Sequence, residues 1–159
     1  MRRGFDQLGI HYELRAYEID ENDLAAETVA AKIGLPPSVL NTCSGWRGRW
    51  GAGRWDRRQA DSPVRAPVDL KALAKAAGEK KMELVPVKEL QALTGYIRGG
   101  VTALAAKREY PVFVDETIEL FDVVSISAGI RGLQILIAPR DYLRAVKGRV
   151  AGIGVEKRL

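Results

Sequence analysis

Two reactive residue types are nearly missing. A single cysteine, Cys43, and a single histidine, His11, occur in 159 residues. One thiol cannot form an internal disulfide, and structural zinc needs more Cys and His ligands than this chain carries, so disulfide scaffolds and zinc modules are excluded. No run of ~18 apolar residues exists to span a bilayer, and Met1-Arg2-Arg3-Gly4-Phe5-Asp6 lacks the apolar stretch of a secretory signal. The chain therefore reads as cytoplasmic, with no membrane partner. It has no G-x-S-x-G, no Walker A loop and no H-E-x-x-H. His11 lies in a predicted strand, where a structural role is the more ordinary one, and Cys43 reads as a small hydrophobe rather than a nucleophile. No serine or cysteine triad, metal site or organic cofactor is expected.

What is present is a globular composition. With 47% hydrophobic and 28% charged residues, positions 1–159 suit one domain whose core is large enough to fold alone. Net charge is +5, which can signal a polyanionic partner, but it is concentrated. Arg47, Arg49, Arg54, Arg57, Arg58 and Arg65 face only Asp56 and Asp61 between positions 43 and 68, and the rest of the chain is close to neutral.

Residues 11–17 alternate, with Tyr12, Leu14 and Ala16 on one side, as in a half-buried strand. Asp23 can cap a helix whose apolar stripe is Ala26, Val29, Ala30 and Ile33, stopped by Gly34 and Pro36-Pro37. Asp69 is a second cap, followed by Leu70, Leu73, Ala74 and Ala77 and ended by Gly78. A strand over 82–85, a short helix over 87–93 and a glycine-bearing loop over 94–100 come next. Strands are predicted over 111–115, 123–127 and 133–137, then a helix opened by Pro139 with Leu143 and Val146 facing inward. The late strands are joined by connections too short for helical crossovers, which favours a mixed or antiparallel α/β sheet.

Residues 43–68 differ from everything around them. Trp46, Trp50 and Trp55 and four glycines sit among the six arginines without helical or strand period. Trp interleaved with Arg can stack on unpaired bases while neutralising phosphates. A disordered surface loop is the plainer alternative. A third reading, favoured by composition, is a shifted reading frame, since TGG, CGG and GGG codons give Trp, Arg and Gly and a structureless loop of ~25 residues is uncommon in a compact domain.

Two loops next to strands carry the remaining candidates: Thr94-Gly95-Tyr96-Ile97-Arg98-Gly99-Gly100-Val101-Thr102 and Ser127-Ala128-Gly129-Ile130-Arg131-Gly132. Such loops can aim backbone N–H groups at a carbonyl or phosphate, with Arg131 adding charge, or their glycines simply make turns.

Thr94-Gly95-Tyr96, Gly99-Gly100, Lys107, Pro111-Val112, Ser127-x-Gly129-x-Arg131-Gly132, Gln134-Ile135 and Pro139-x-Asp141 resemble the YbaK/EbsC family of aminoacyl-tRNA deacylases, related to the editing domain of bacterial prolyl-tRNA synthetase. Gly9-Ile10-x-Tyr12-x-Leu14-x-x-Tyr17, Ala30-Ala31-x-x-Gly34-Leu35 and Leu70-Lys71-Ala72-Leu73-Ala74 agree as well, so the resemblance covers residues 4–42 and 68 to about 146. It implies an α+β fold with a mixed, barrel-like sheet and flanking helices, and hydrolysis of amino acids misattached to tRNA, first of all Cys-tRNA(Pro). In such members the substrate's thiol attacks its own carbonyl, so no protein nucleophile is required.

The resemblance implies site roles too. Gly99, Gly100, Val101 and Thr102 hold the aminoacyl end through backbone groups, Ser127, Gly129, Arg131 and Gly132 flank it, and Tyr17 lines the pocket. A family lysine important for activity falls in Leu40-Asn41-Thr42, so Asn41 takes the catalytic position and Thr42 lies beside it, without a positive charge. The family's Gly-x-x-x-Pro loop reads Gly99-Gly100-Val101-Thr102-Ala103, without its proline, and Ala105 replaces a following glycine. The partners implied are aminoacyl-tRNA, tRNA(Pro) above all, and prolyl-tRNA synthetase. The alternative from another class is a non-catalytic tRNA-binding or synthetase-associated module that lost turnover with the lysine. A chain lacking the two strands expected after Thr42 would also leave sheet edges unpaired.

Overall fold

The computed structural model describes residues 2–50, 54–63, 68–97, 102–104 and 111–155, and for 2–4, 41–50, 54–63, 87, 90, 93 and 94 the backbone alone. Among these residues the order is α1 (Arg2–Leu8), β1 (Tyr12–Ala16), α2 (Ala26–Lys32), β2 (Asn41–Trp50), β3 (Arg54–Pro63), α3 (Leu70–Ala77), β4 (Lys81–Leu84), α4 (Val87–Thr94), β5 (Val112–Asp115), β6 (Val124–Ser127), β7 (Leu133–Ile137), α5 (Pro139–Val146) and β8 (Arg149–Ala151). The strands form an antiparallel sheet β1-β7-β6 and a mixed sheet β4-β2-β3-β5-β8. In the second, β3 and β8 run parallel to β5 on either side of it.

The α+β class and the mixed sheet follow the expectation, but the barrel-like closure does not. A barrel needs a continuous staggered ladder around its ring. Here the two sheets meet at a single parallel bridge, Leu40 with Ser125, and among the described residues no ladder joins their edge strands. The sheets stay open.

Local chemistry sets the helices. The Asp69 carboxylate accepts from Lys71 N at 2.9 Å and Ala72 N at 3.1 Å, capping α3 as its spacing predicts. Before α2, Asp23 accepts from the Thr28 hydroxyl at 2.8 Å and Ala25 N at 3.1 Å. The Thr28 bond first, then the Ala25 bond, holds the Asp23 carboxyl below its ordinary value. The stabilisation this gives is present at neutral pH and fades as pH falls through the lowered value. The stripe of α2 buries Val29, Ala30 and Ile33 with Leu40, and Tyr17, Ala26 and Leu35 pack against them.

β5 lies between two strands and is buried on both faces, so its alternation divides between two cores. Val112 and Val114 join Ile126, Ile135, Ile137 and Tyr142 on one side, and Phe113 joins Leu73, Met82 and Ile153 on the other. Asp115 ends the strand 3% exposed, with its bonds satisfied. One oxygen accepts from Ile153 N at 3.0 Å and Gly154 N at 2.7 Å, and the other accepts from Thr117 N and its hydroxyl. This carboxylate pins the segment after β8 to the end of β5.

Several local expectations are corrected. Residues 41–50 and 54–63 are not a structureless loop: they pair in antiparallel register from Asn41 with Pro63 to Trp50 with Arg54, and they occupy the centre of the larger sheet. The two strands expected to be missing are therefore present as backbone. Residues 51–53 and 64–67 of that segment lie outside the described ones. On β1, Tyr12 packs on Phe5 with ring centroids 4.8 Å apart, but Leu14 is 38% exposed because β1 is an edge strand with one neighbour. In α5 the most buried side chain is Tyr142, with Val146 also buried and Leu143 partly so.

Candidate functional site

The chain between β6 and β7 makes a tight turn, and the strands that carry it are locked by a buried polar pair. Ser125 Oγ donates to Gln134 Oε1 at 3.0 Å, with both residues inside the small sheet. At the turn Ala128 N donates to Leu133 O at 3.2 Å, and Gly129 N donates to Ser127 Oγ at 3.2 Å. Gly129 and Gly132 have φ of +91° and +89°, which side-chain-bearing residues rarely adopt. Space for a side chain is lacking at Gly129 and tight at Gly132. A Cβ on Gly129 would lie 2.7 Å from Tyr96 Cε1, and one on Gly132 would lie 3.1 Å from Ile19 Cγ1.

The same two glycines bring distant segments to the turn. Tyr17, just past β1, donates its N–H to Gly132 O at 2.9 Å, while its side chain packs on the α2 cluster. Arg15 fixes that strand to the helix, its guanidinium donating to Ile33 O at 2.9 Å and pairing with Glu13 at 2.8 Å. From the other side Tyr96, after the left-handed Gly95 that ends α4, lays its ring on Gly129 and donates its hydroxyl to Leu104 O at 2.6 Å. Thr102 is 1% exposed, and its hydroxyl accepts from Leu104 N at 3.3 Å. As placed, it shapes the chain from inside the fold.

Of the residues picked from sequence, the structure thus gathers Tyr17, Ser127, Gly129 and Gly132 at one turn, with Arg131 half-buried on it. Asn41 and Thr42 are described as backbone only. They open β2 directly after Leu40, whose parallel bridge to Ser125 sends Asn41-Thr42 and Ile126-Ser127 away in the same direction. Gly99, Gly100 and Val101 lie outside the described residues. His11 precedes the far end of β1, about 20 Å of extended chain from Tyr17. Among the described residues no three His, Cys, Asp or Glu side chains gather as metal ligands, and no helix is long and apolar enough to cross a membrane.

Sequence reasoning did not give Tyr96 a role of its own, and it missed the Ser125–Gln134 pair. The signal for Tyr96 was an aromatic set between Gly95 and a glycine pair. For the buried pair there was no local signal, since Ser and Gln nine residues apart are unremarked until two strands align them. A turn with two glycines at positive φ can direct backbone donors toward an anion or a polarised carbonyl, while Ala128 N and Gly129 N are bonded within this turn. Its supports are rigid strands, which suits positioning rather than gating.

The class defined here is an α+β domain in which a glycine turn between paired strands meets a second, glycine-bearing segment. A family model for the aminoacyl-tRNA editing domain matches residues 62–145. A relative from Enterococcus faecalis (strain ATCC 700802 / V583), named "Putative Cys-tRNA(Pro)/Cys-tRNA(Cys) deacylase EbsC", is 34% identical over 152 residues, covering 95% of this chain and 90% of the relative. Two solved structures share the fold. Hypothetical protein APE2540 superposes with a TM-score of 0.83 at 20% identity, over 96% of this chain and 97% of the other. A "putative trans-editing enzyme for prolyl tRNA synthetase" gives 0.82 at 17% identity, over 98% and 94%. The chain belongs to the aminoacyl-tRNA editing domain family, in agreement with the YbaK/EbsC resemblance.

Proposed function

We propose that this protein is a trans-editing aminoacyl-tRNA deacylase that cleaves the ester of mischarged tRNA, with Cys-tRNA(Pro) as its first substrate. The observation that carries the reading is the convergence of Tyr17, the 127–132 turn and Tyr96, bonded to Leu104, in a member of the editing family. In this reading Gly99, Gly100 and Val101 face the aminoacyl end together with Ser127, Gly129, Arg131 and Gly132, while the buried Thr102 supports the chain from inside the fold. Tyr17 shapes the pocket, and Asn41 and Thr42 border it.

The chemistry fits a site built from backbone donors. Attack on the ester carbonyl places negative charge on its oxygen, and prepositioned N–H groups stabilise that charge without reorganisation. The nucleophile is the substrate's own thiol. Its sulfur bonds to the carbonyl carbon, the ester C–O bond breaks, the thiol proton passes to the departing ribose oxygen, and water then opens the cyclic thioester. His11 is too distant to act as base, and Ser127 Oγ is already engaged by Gly129 N. Asn41 offers a neutral amide donor where the family lysine offers charge, so catalysis here is slower than the scaffold permits. Prolyl-tRNA synthetase is the enzyme whose errors would be removed, in the cytoplasm.

The test is deacylation of Cys-tRNA(Pro) beside Ala-tRNA(Pro) and tRNA(Pro) carrying 2-aminobutyrate, which has the size of cysteine without the thiol. Loss of cysteine alone is expected. Equal loss of all three would remove thiol assistance, and no loss from folded protein would remove the deacylase reading.

A further inference from the structure

We propose that β1 is a self-pairing edge: two copies of this chain join along it, antiparallel, about a twofold axis at Leu14. The inference stands apart from the deacylase reading. β1 has one strand neighbour, β7, and pairs with it without a bulge from Tyr12 with Ile137 to Ala16 with Leu133. The bond from Tyr17 N to Gly132 O continues that ladder and fixes its phase. Alternate residues of an antiparallel strand bond to the same neighbour, so Glu13, Arg15 and Tyr17 turn their backbone groups to β7. Those of Tyr12, Leu14 and Ala16 point the other way, and among the described residues they have no partner. Glu13, Leu14 and Ala16 are exposed.

Charge decides what covers this edge. An open edge invites another strand and is commonly blunted by proline, lysine or a bulge. β1 has none of these, and its sequence, Tyr-Glu-Leu-Arg-Ala, is complementary to itself. When Leu14 faces the second copy's Leu14, Glu13 stands across from the second copy's Arg15 and Arg15 across from the second copy's Glu13. This register uses every outward backbone group of β1 and joins two three-stranded sheets into one of six strands. Glu13 and Arg15 fall at its non-hydrogen-bonded positions, where Cα atoms come within ~4.5 Å and side chains are closest. Their side chains, 61% and 35% exposed, already pair within one chain at 2.8 Å, and Ile33 O braces the Arg15 guanidinium at 2.9 Å. Two copies thus close a ring of four alternating charges. Sliding the strands by two residues either way sets Glu13 against its own counterpart, or Arg15 against its own, which like charges oppose.

A joint of five residues per copy is small, so the dimer is weak and reversible, with a Kd on the order of 10–100 µM. The test is sedimentation of the full chain from about 1 to about 300 µM, with amide exchange across β1 followed over the same range. The parent should pass from one copy to two as Leu14 N–H exchange slows. Glu13→Arg should raise Kd at least about tenfold, and adding Arg15→Glu should bring it back to within about threefold of the parent. Leu14→Pro removes an outward N–H and leaves the β7 ladder its bonds, so it should stay a single copy throughout, its fold checked by a melt.

A parent that remains a single copy at the highest concentration overturns the proposal and leaves the edge to a strand of another protein. A dimer indifferent to both Glu13→Arg and Leu14→Pro, or one that forms without slowing exchange in β1, joins through another face and overturns it as well. A folded double variant no better than Glu13→Arg alone overturns the charge register.

Discussion

β3 and β5 are parallel neighbours, pairing Gln59 with Val112, Ala60 with Phe113 and Asp61 with Val114, yet their chemistry is opposite. β5 reads Val-Phe-Val-Asp and buries all four residues. β3 reads Arg-Trp-Asp-Arg-Arg-Gln-Ala-Asp-Ser-Pro and holds an equally central place between β2 and β5. The pair teaches that a strand's place in a sheet is decided by what flanks it. With β4, β5 and β8 in place, one antiparallel hairpin completes the larger sheet, and β2 and β3 occupy that place between β4 and β5. The residue types of β3 are unlike those of the apolar strand beside it, a mismatch between local preference and place in the sheet.

The comparison breaks most visibly on the β5 side. Asp115→Ala strips the acceptor from Ile153 N, Gly154 N and Thr117 N, and should cost about 3 kcal/mol in urea unfolding. A much smaller loss would mean that the end of β5 is not the anchor described. At the root of the hairpin, Asn41→Lys restores the family charge and should raise deacylation about tenfold, or ~1.4 kcal/mol of barrier. No gain in a folded variant would remove Asn41 from the account of the site. Within β3, Asp61→Val places an apolar residue beside Val114 and should stabilise by about 1 kcal/mol, reversing the usual cost of a core-sheet substitution. The smallest effect is expected at Arg57, which stands directly opposite Arg47. Arg57→Glu should gain ~0.5 kcal/mol at low salt and less at high salt, measured by thermal melts at two ionic strengths.

Where local chemistry decides, the sequence was legible. The cap at Asp69, the stop at Gly78, the apolar stripes of α2 and α3 and the apolar runs of β6 and β7 announce their elements, whereas Asp23 precedes α2 without capping it, the N-cap being Ala25. Where distant partners decide, it was not. α1 offers one buried anchor, Phe5, and no cap; β8 is three residues that acquire meaning by pairing with β5; and β2 and β3 have no period at all. The site divides the same way. Gly129 and Gly132 could be suspected of positive φ from a turn between two strands. The reach of Tyr96 to Leu104 and Gly129, and of Ser125 to Gln134, required the fold.

The most direct test of the central claim is single-turnover loss of cysteine from Cys-tRNA(Pro), comparing the parent chain with Gly129→Ala. The account predicts deacylation well above the tRNA-only background in the parent and at least about a tenfold fall in the variant, since the added methyl meets Tyr96 and the positive φ resists it. Background-level loss from the folded parent, or an equal rate in the two proteins, would contradict it.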